Sequence, residues 1–412
     1  MASTVSAMTD GRRRGRARPR VLIAGGGVAG LETLLALRAL AGDRVDITLV
    51  TPEPRFVNRS MTVARPFGPP GARGVRMQDV TAQYGARWHR GSVDRVEHER
   101  RVVVMDAGDE LAYDVLVLAL GARPGRESHE PEVLTFHDGR YGAGYRHLLG
   151  ELREGRIGKL AFIRPAGATW PLPLYDLTLM TAADCAAHDR PEIKLSLITP
   201  EAEPLAIFGA QASAAVRELL EQAGVALRTS SLLVGRHPGW LDLAPGDRGM
   251  PADRIVIEPR LVGPPIRGIP CGRDGFLPTD RHGRLPGCSG VFAAGDATAF
   301  PIKQGGLAAQ QADAVAEAIA ATVGVDIDPQ PFRPVLRGVL LTGAAARYLR
   351  ADISGGAGDD STISTEPLWW PPNKLCGRYL APYLSRQTGD GAKVMPQQRD
   401  GVSAEACLRS RR

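Results

Sequence analysis

Two glycine-rich segments could bind a cofactor that carries phosphate groups. The first spans Gly25 to Gly30, has the pattern G-x-G-x-x-G, and lies between an apolar run and a helical pattern at 31–40. In such a segment Gly25 permits a tight turn, Gly27 lets a pyrophosphate approach the backbone, and Gly30 lets the helix pack against the strand. The free N–H groups and the positive dipole at the helix N-terminus favour phosphate. A tight turn without a ligand is the alternative.

The second segment lies more than 260 residues further along the chain. An apolar strand pattern at 290–294 ends in Gly295 and Asp296, and a helix pattern rich in alanine follows at 305–323. A glycine and an acid at the end of a strand suit a second contact with the same cofactor. Lys303, just before the helix, is either an exposed loop lysine or a weak catalytic candidate.

An acid that binds ribose is expected about 20 residues after the glycines, at the end of the next strand. The predicted strand at 45–50 is followed by Thr51, Pro52 and Glu53. Thr51 occupies the usual position of the acid, and Glu53 comes slightly late. The sequence leaves open whether Glu53 binds a ribose.

The basic charge of the chain is concentrated at its N-terminus. The 412 residues include 51 Lys and Arg and 45 Asp and Glu, a net charge of +6, and six of the arginines lie within residues 1–20. The remainder is nearly neutral, so nucleic acid is not a predicted partner. We interpret 1–20 as a disordered basic tail, with binding to an anionic partner or a membrane surface as the alternative.

Apolar runs and cysteines indicate a cytoplasmic protein. No run has the length of a membrane span, and no apolar region of a secretory signal follows the arginines. The five cysteines are widely spaced and form no C-x-x-C or metal-ligand pattern, so we predict reduced cysteines and no metal. Peripheral membrane contact and a homodimer are left open.

The order of patterns predicts an α/β fold with two Rossmann-like domains, the first interrupted by the second. The first domain comprises 21–125 and 286–330, and the second comprises 126–285. A C-terminal segment at 331–385 and a polar tail at 386–412 follow.

Individual elements follow from periodicity and turn residues. In the first domain we expect a buried parallel strand at 113–120 and a small antiparallel excursion in which 87–93 pairs with 95–105. In the second we expect strands at 159–164, 193–199, 225–228 and 254–258, and helices at 174–188 and 210–223.

The chain resembles flavoproteins with two dinucleotide-binding domains, the pyridine nucleotide-disulfide oxidoreductase superfamily. Within it, the chain is most similar to sulfide:quinone oxidoreductases and type II NADH dehydrogenases. The resemblance rests on Gly25–Gly30, on the strand ending Leu120-Gly121-Ala122-Arg123-Pro124, on Ala294–Ala297, and on the stretch 301–308.

The resemblance implies non-covalent FAD and a role for each matching residue. Gly25, Gly27 and Gly30 would hold the pyrophosphate, and the backbone of Val93 would meet the adenine. Gly121 and Gly295 would lie along the cofactor, and Asp296 would bind a ribityl hydroxyl or a water near the phosphates. Gln304 and Gly305 would meet the pyrimidine edge of the flavin, where a helix N-terminus stabilises negative charge on the reduced ring.

Two departures from the superfamily bear on the electron donor. The turn after the strand at 159–164 contains one glycine and two prolines instead of G-x-G-x-x-G, so binding of NAD(P)H is doubtful. Sulfide oxidation needs two cysteines beside the flavin, and only Cys376 lies where the family places one. Cys185 is predicted to be a buried residue inside a helix. The aromatic segment at 368–384 either packs on the first domain or covers the flavin and faces a membrane.

The sequence therefore predicts an FAD-dependent oxidoreductase that passes two electrons from a small-molecule donor, NAD(P)H among the candidates, to a quinone or another acceptor. Sulfide or persulfide oxidation is the first alternative. A flavin-binding redox sensor without turnover is the second.

Overall fold

The structure is a computed structural model that describes residues 17–68, 74–125, 130, 132–136, 141–246, 249–353 and 361–388. Most of the predicted basic tail and nearly all of the predicted polar tail lie outside the described residues.

The described residues form strands that we number in chain order: β1 (Arg20–Ala24), β2 (Asp46–Val50), β3 (Arg55–Phe56), β4 (Val75–Arg76), β5 (Arg87–His89), β6 (Val93–Glu97), β7 (Val102–Met105), β8 (Glu110–Ala112), β9 (Val115–Leu118), β10 (Arg123–Pro124), β11 (Val133–Thr135), β12 (Lys159–Ile163), β13 (Lys194–Ile198), β14 (Val225–Arg228), β15 (Leu232–His237), β16 (Trp240–Ala244), β17 (Met250–Pro251), β18 (Arg254–Ile257), β19 (Leu261–Val262), β20 (Val291–Ala293), β21 (Val335–Leu340), β22 (Arg347–Asp352) and β23 (Ser361–Ser364).

The α-helices are α1 (Val28–Ala41), α2 (Met77–Gln83), α3 (Tyr141–Arg153), α4 (Leu172–Ala187), α5 (Gly209–Gln222), α6 (Gly305–Thr322) and α7 (Leu380–Thr388). Among the described residues, no helix combines the length and the apolar character that crossing a bilayer requires.

The first sheet is parallel and has the order β20-β9-β1-β2-β5. Strand β1 lies in the middle, and the chain builds outward from it first on one side, through β2 and β5, and then on the other, through β9 and β20. The strand order therefore reverses between β1 and β9. In open α/β sheets the crevice at the carboxyl ends of two such strands is the usual place for a ligand.

Helices α1 and α6 cover one face of this sheet and pack closely against each other. Their contact is made of small residues, and a Cβ added to Gly295 would lie 2.9 Å from the Cβ of Ala29 and 3.3 Å from that of Ala308. The buried side chains of both helices form one apolar cluster with Ile23 and Val117 of the sheet. This close contact brings the N-termini of the two helices to the same edge of the sheet.

The prediction that 87–93 pairs with 95–105 is wrong. Residues 87–89 form β5, which pairs in parallel with β2 as the edge of the first sheet. The antiparallel excursion consists of β6, β7 and β8 instead, and it packs on the second face of the sheet through Val96, Val103 and Met105. Both segments alternate in the same way, so periodicity alone could not assign their partners.

The second sheet is also parallel, with the order β11-β18-β12-β13-β14. Strands β12, β13, β14 and β18 and the helices α4 and α5 match the predicted elements to within about two residues, as expected for boundaries, whereas β11 was not predicted. Cys185 is buried within α4, as predicted. Strand order reverses between β12 and β18, so this sheet has a crevice of its own.

The C-terminal region contains an antiparallel sheet, β21-β22-β23, that the sequence did not predict. Its Leu336, Leu340 and Leu349 pack in the core of the second unit. The chain then returns to the first unit, where Leu375, Leu380 and Tyr383 join the cluster of α1 and α6. The C-terminal region thus contacts both units.

Candidate functional site

The turns that follow β1 and β9 meet where the strand order of the first sheet reverses. Gly25 has φ +120°, and a Cβ there would lie 2.1 Å from the carbonyl oxygen of Ala119. The Gly25 N–H donates to Val50 O at 2.8 Å. Gly25 is therefore fixed by the protein's own backbone, and no other residue could occupy the position without moving the turn.

Gly30 and Gly27 differ in what requires them to be glycine. A Cβ at Gly30 would lie 1.8 Å from Gly25 O, so the helix could not approach the turn. A Cβ at Gly27 would have no protein atom within 4 Å, and its φ of −81° suits any residue. The protein therefore gives no steric reason for glycine at 27, whereas a ligand against the backbone would give one.

The N-termini of α1 and α6 converge at this crevice. Gly27 caps α1 without a side-chain hydrogen bond, so the first N–H groups of the helix face outward. A Cβ at Gly305, the first residue of α6, would lie 3.8 Å from Val28 Cγ2. Two positive helix ends thus lie side by side, which favours anionic groups.

Gln304 is buried, and its side chain is committed to structure. Its Oε1 accepts the N–H of Leu307 at 2.8 Å, and its Nε2 donates to Arg337 O at 3.0 Å. The residue therefore caps α6 and ties it to β21. Contact with a cofactor is left to the backbone at 304–306.

Thr51, Glu53 and Val93 lie near the carboxyl end of β2. Thr51 is buried, and its hydroxyl accepts the N–H of Glu53 at 3.3 Å, so it shapes the turn. The Glu53 carboxylate is exposed, which leaves it able to reach a ribose. The half-buried Val93 begins β6 and is joined to this turn through the Gly91 N–H, 3.4 Å from Thr51 O.

Gly295, Asp296 and Lys303 form the far side of the site. Gly295 is buried, and its N–H donates to Gln311 Oε1 at 2.7 Å. Asp296 is half-buried, and burial lowers the pKa of Lys303 although the nearby Asp296 carboxylate partly opposes that shift. Gly121 follows β9 with φ +72° and no protein atom within 4 Å of an added Cβ, so it too borders open space.

Lys303 is not the exposed loop lysine that was one of the two expectations. It is 6% exposed, and its Nζ donates to Thr298 O and, at 2.7 Å, to Phe300 O. The ammonium lies 3.8 Å from the centre of the Phe276 ring, a cation–π contact. Burial lowers its pKa to about 8, so it carries its charge at neutral pH.

The segment around Cys376 borders the start of α6. A Cβ at Gly305 would lie 3.1 Å from Leu375 Cδ1. Lys374 forms a buried ion pair with Asp176 of α4, whose other oxygen accepts Leu341 N–H at 2.7 Å. Burial raises the pKa of the Cys376 thiol to about 12, so this cysteine is neutral at physiological pH. The expectation that the segment packs on the first domain is met, while Trp370 is 46% exposed.

The crevice of the second sheet is filled by the protein's own side chains. Arg164 follows β12 and Glu258 follows β18, with Arg164 Nε 3.7 Å from Glu258 Oε2 and Nη1 3.8 Å from Glu201 Oε2. Glu258 is almost fully buried, and burial raises its pKa to about 8. The side chains of Arg164, Glu201 and Glu258 thus occupy the place where a dinucleotide would bind in a doubly wound sheet.

The turn after β12 also lacks the donors that a phosphate needs. Its Ala168 carbonyl accepts Arg164 Nη2 at 2.9 Å, and its Trp170 N–H donates to the Glu258 carboxylate. Pro171 caps α4 and Pro173 lies in its first turn, so two N–H groups are missing at the helix start. Sequence reasoning found Pro165 and Pro171 in this turn but missed Pro173 and Glu258, the latter lying 94 residues from Arg164 without a local motif.

Comparison with known proteins agrees with this geometry. Residues 19–142 match the sequence profile of the pyridine nucleotide-disulphide oxidoreductase family. The chain is 25% identical over 213 residues to a protein described as external alternative NAD(P)H-ubiquinone oxidoreductase B4, mitochondrial, from Arabidopsis thaliana. That alignment covers 45% of this chain and 37% of the plant protein, so the chain spans well under half of that relative.

Solved structures share the fold over more of the chain. The sulfide:quinone oxidoreductase of Aquifex aeolicus superposes with a TM-score of 0.77 at 18% identity, over 90% of this chain and 95% of that one. NDH2 of Plasmodium falciparum gives a TM-score of 0.57 at 13% identity, over 68% and 64%. The predicted resemblance and the predicted fold class are confirmed: the chain is similar to this oxidoreductase family in sequence over residues 19–142, and it shares the fold of these solved structures over most of its length.

Proposed function

We propose that the protein is an oxidoreductase that holds FAD non-covalently in the crevice of the first sheet and passes two electrons from a small-molecule donor to a quinone or another acceptor. The observation that carries the proposal is the open space at Gly27, between two converging helix N-termini. Gly25 and Gly30 are required by the fold itself, whereas Gly27 is explained by a ligand at the backbone.

The residues of the crevice fit each part of an FAD molecule. The start of α1 offers N–H groups to the pyrophosphate, and the exposed carboxylate of Glu53 suits a ribose. The backbone at Val93 and Gly121 would border the adenine and the middle of the cofactor. Asp296, half-buried at the end of β20, supplies an acceptor for a hydroxyl.

The chain contributes charge and position, while bound FAD supplies the redox chemistry. The positive end of α6 and the buried ammonium of Lys303 both favour negative charge near the residues 304–306. Negative charge grows in this region when a flavin is reduced. Both groups would therefore make the reduced cofactor more stable and the flavin easier to reduce.

The second unit disfavours the usual mode of NAD(P)H binding. A pyrophosphate there would have to displace the buried side chain of Glu258 from beside Arg164 and would meet a helix start that lacks two N–H groups. A nicotinamide donor would then bind through side chains between the units, or the donor is a different small molecule.

An anaerobic absorbance titration tests the donor. The FAD-loaded protein is mixed with NADH, with NADPH or with sulfide, and bleaching of the flavin band is followed before and after a soluble quinone is added. Bleaching by one donor, with recovery on adding quinone, is the expected result. A flavin band that none of these three donors bleaches would exclude them as donors and leave either a different small-molecule donor or the redox sensor.

Sulfide or persulfide oxidation is a second candidate because Cys376 lies beside Leu375, which touches the start of α6. The Cys376 thiol is neutral and Cys185 is buried within α4, which argues for structural roles of both cysteines. The variant C376S separates the two functions. If sulfide bleaches the flavin of the wild type and fails to bleach that of C376S, sulfide oxidation replaces our proposal. Equal bleaching of the two proteins removes sulfide oxidation through Cys376.

A further inference from the structure

Glu32 is a fully buried acid in the second turn of α1 that holds the beginning of α7. Its Oε1 accepts the N–H of Tyr379 at 2.7 Å, and its Oε2 accepts the N–H of Leu380 at 2.8 Å. These are the last N–H before α7 and the first within it, two groups that have no partner inside the helix. The α1 carboxylate thus serves as an N-cap for a helix that follows it by nearly 350 residues.

A second carboxyl group, that of the half-buried Asp313 of α6, is hydrogen-bonded to Glu32, and its Oδ1 is shielded from solvent. Two carboxyl groups can share a hydrogen bond only if one of them holds a proton. Both Glu32 oxygens already accept backbone N–H groups, so Glu32 is the acceptor, and Asp313 is the group that holds the proton and donates it to Glu32. Burial together with the charge of Glu32 raises the pKa of Asp313 well above its usual range, which agrees with this assignment.

The charges around this carboxyl pair do not replace the proton. Arg378 is exposed and lies 3.5 Å from Glu317 Oε1, so its charge is shared with another acid. Glu317, one turn along α6, itself raises the pKa of Asp313, as a like charge must. Burial raises the pKa of the Tyr379 hydroxyl, which stays neutral. Loss of the proton would leave two adjacent carboxylates with a single exposed cation nearby.

The carboxyl pair fixes a segment that runs across the candidate site, which we name the strap (residues 374–388). A Cβ at Gly377 would lie 2.4 Å from Glu32 Oε2, so the strap touches the carboxylate directly. Leu375 of the strap lies against Gly305 at the start of α6, and Leu380 and Tyr383 pack on α1. The strap therefore borders both helix N-termini that form the crevice.

We propose that Glu32 and Asp313 are a positioning pair that shares one proton, and that this proton keeps the strap closed beside the crevice. Removal of the proton sets two carboxylates against each other and releases the start of α7. The release exposes the N-terminus of α6 from its outer side. The strap is argued from the chain alone, while its effect on a flavin rests on the proposed function.

The sign of the pH dependence follows from the raised pKa values. An acid whose pKa is raised by folding binds more protons in the closed state, so the closed state loses stability as the pH rises above the usual pKa of a carboxyl group. The strap is therefore tightest in mild acid and opens as the pH passes through neutrality. Where opening releases one proton, the equilibrium constant for opening of the strap increases about tenfold per pH unit.

Hydrogen exchange of the full-length protein tests the proposal. Protection of the Tyr379 and Leu380 amides is measured from pH 6 to pH 9, after correction for the intrinsic exchange rate. We expect protection to fall at least tenfold over this range in the wild type, with no comparable change in β12 and β13. Protection that stays constant from pH 6 to pH 9 overturns the proposal.

Two variants remove the need for the proton. In D313N the amide N–H donates to Glu32 at every pH, so the drop in protection should disappear while the strap stays closed. If D313N does not fold, E32Q serves instead: its amide N–H donates to Asp313 and its single oxygen accepts one of the two backbone N–H groups, so protection should be lower overall but should not vary with pH. The control D43N removes an exposed carboxylate just after α1 and should keep the wild-type drop. A drop that persists in the folded D313N or E32Q protein refutes the shared proton.

Discussion

The substitution G27A separates binding of a cofactor from folding. At Gly27 the backbone has φ −81°, which alanine adopts freely, and an added Cβ meets no protein atom within 4 Å. Alanine would lower the entropy of the unfolded chain, a gain of about 0.4–1 kcal/mol. It is a poorer N-cap than glycine by a similar amount. The free energy of unfolding should therefore change by no more than about 1 kcal/mol.

The effect of G27A on cofactor affinity should be much larger. A methyl group at this position would stand between the first N–H groups of α1 and an incoming pyrophosphate. Loss of one hydrogen bond to a charged group costs about 1.5–3 kcal/mol. That energy corresponds to a Kd for FAD about 10 to 150 times weaker.

The assay uses a matched pair of variants. Thermal unfolding without cofactor measures stability, and quenching of FAD fluorescence on binding measures Kd. G27A should melt near the wild-type temperature and bind FAD weakly. G30A, whose Cβ would lie 1.8 Å from Gly25 O, should fail to fold or melt far lower. Wild-type affinity in G27A would refute the placement of a pyrophosphate at α1.

Three further predictions concern buried groups. In K303M the midpoint potential of the flavin should fall by about 30 mV for each 1.4 kcal/mol of lost charge stabilisation. Burial lowers the pKa of Lys303 to about 8, so the difference in potential between K303M and wild type, measured by spectroelectrochemistry, should shrink above that pH. A difference that grows above that pH would contradict the role of Lys303. Burial raises the pKa of Glu258 to about 8, so the stability of the wild type should fall between about pH 4.5 and pH 8, and that of E258Q should fall less. Melting temperatures at both pH values measure this. An equal fall of the melting temperature in both proteins would count against a protonated Glu258. G377A places a Cβ 2.4 Å from Glu32 Oε2, so it should cost about 1–3 kcal/mol of stability and expose the amide of Leu380 at every pH. Hydrogen exchange that shows full protection of this amide in G377A would mean that other contacts hold the strap.

Local sequence patterns were sufficient for the glycine-rich turn and for most strands of the two parallel sheets. Gly30 meets the carbonyl oxygen of Gly25, and the N–H of Gly25 bonds to Val50, so both glycines are fixed by contacts within one βαβ unit. The apolar runs of β9 and β12 are buried on both faces and so have no alternation that could mislead. Helix α6 begins at Gly305, as predicted, because Gln304 caps it locally.

The remaining features depend on contacts between distant parts of the chain. Residues 87–89 became a sheet edge through pairing with β2, which no local pattern specifies. The burial of Lys303 is set by Phe276 and by carbonyl groups of the turn before it. Glu32 stands in the cofactor helix as an apparently ordinary acid, and its role becomes visible only where α7 begins.

Binding of FAD is the central claim, and its most direct measurement is an absorbance spectrum. The purified full-length protein is incubated with FAD, separated from free cofactor by gel filtration, and scanned in the visible region, with circular dichroism to confirm that it is folded. A retained flavin band with one FAD per chain, lost in G27A, is the result that the structure predicts. A folded wild-type protein that retains no flavin would contradict it.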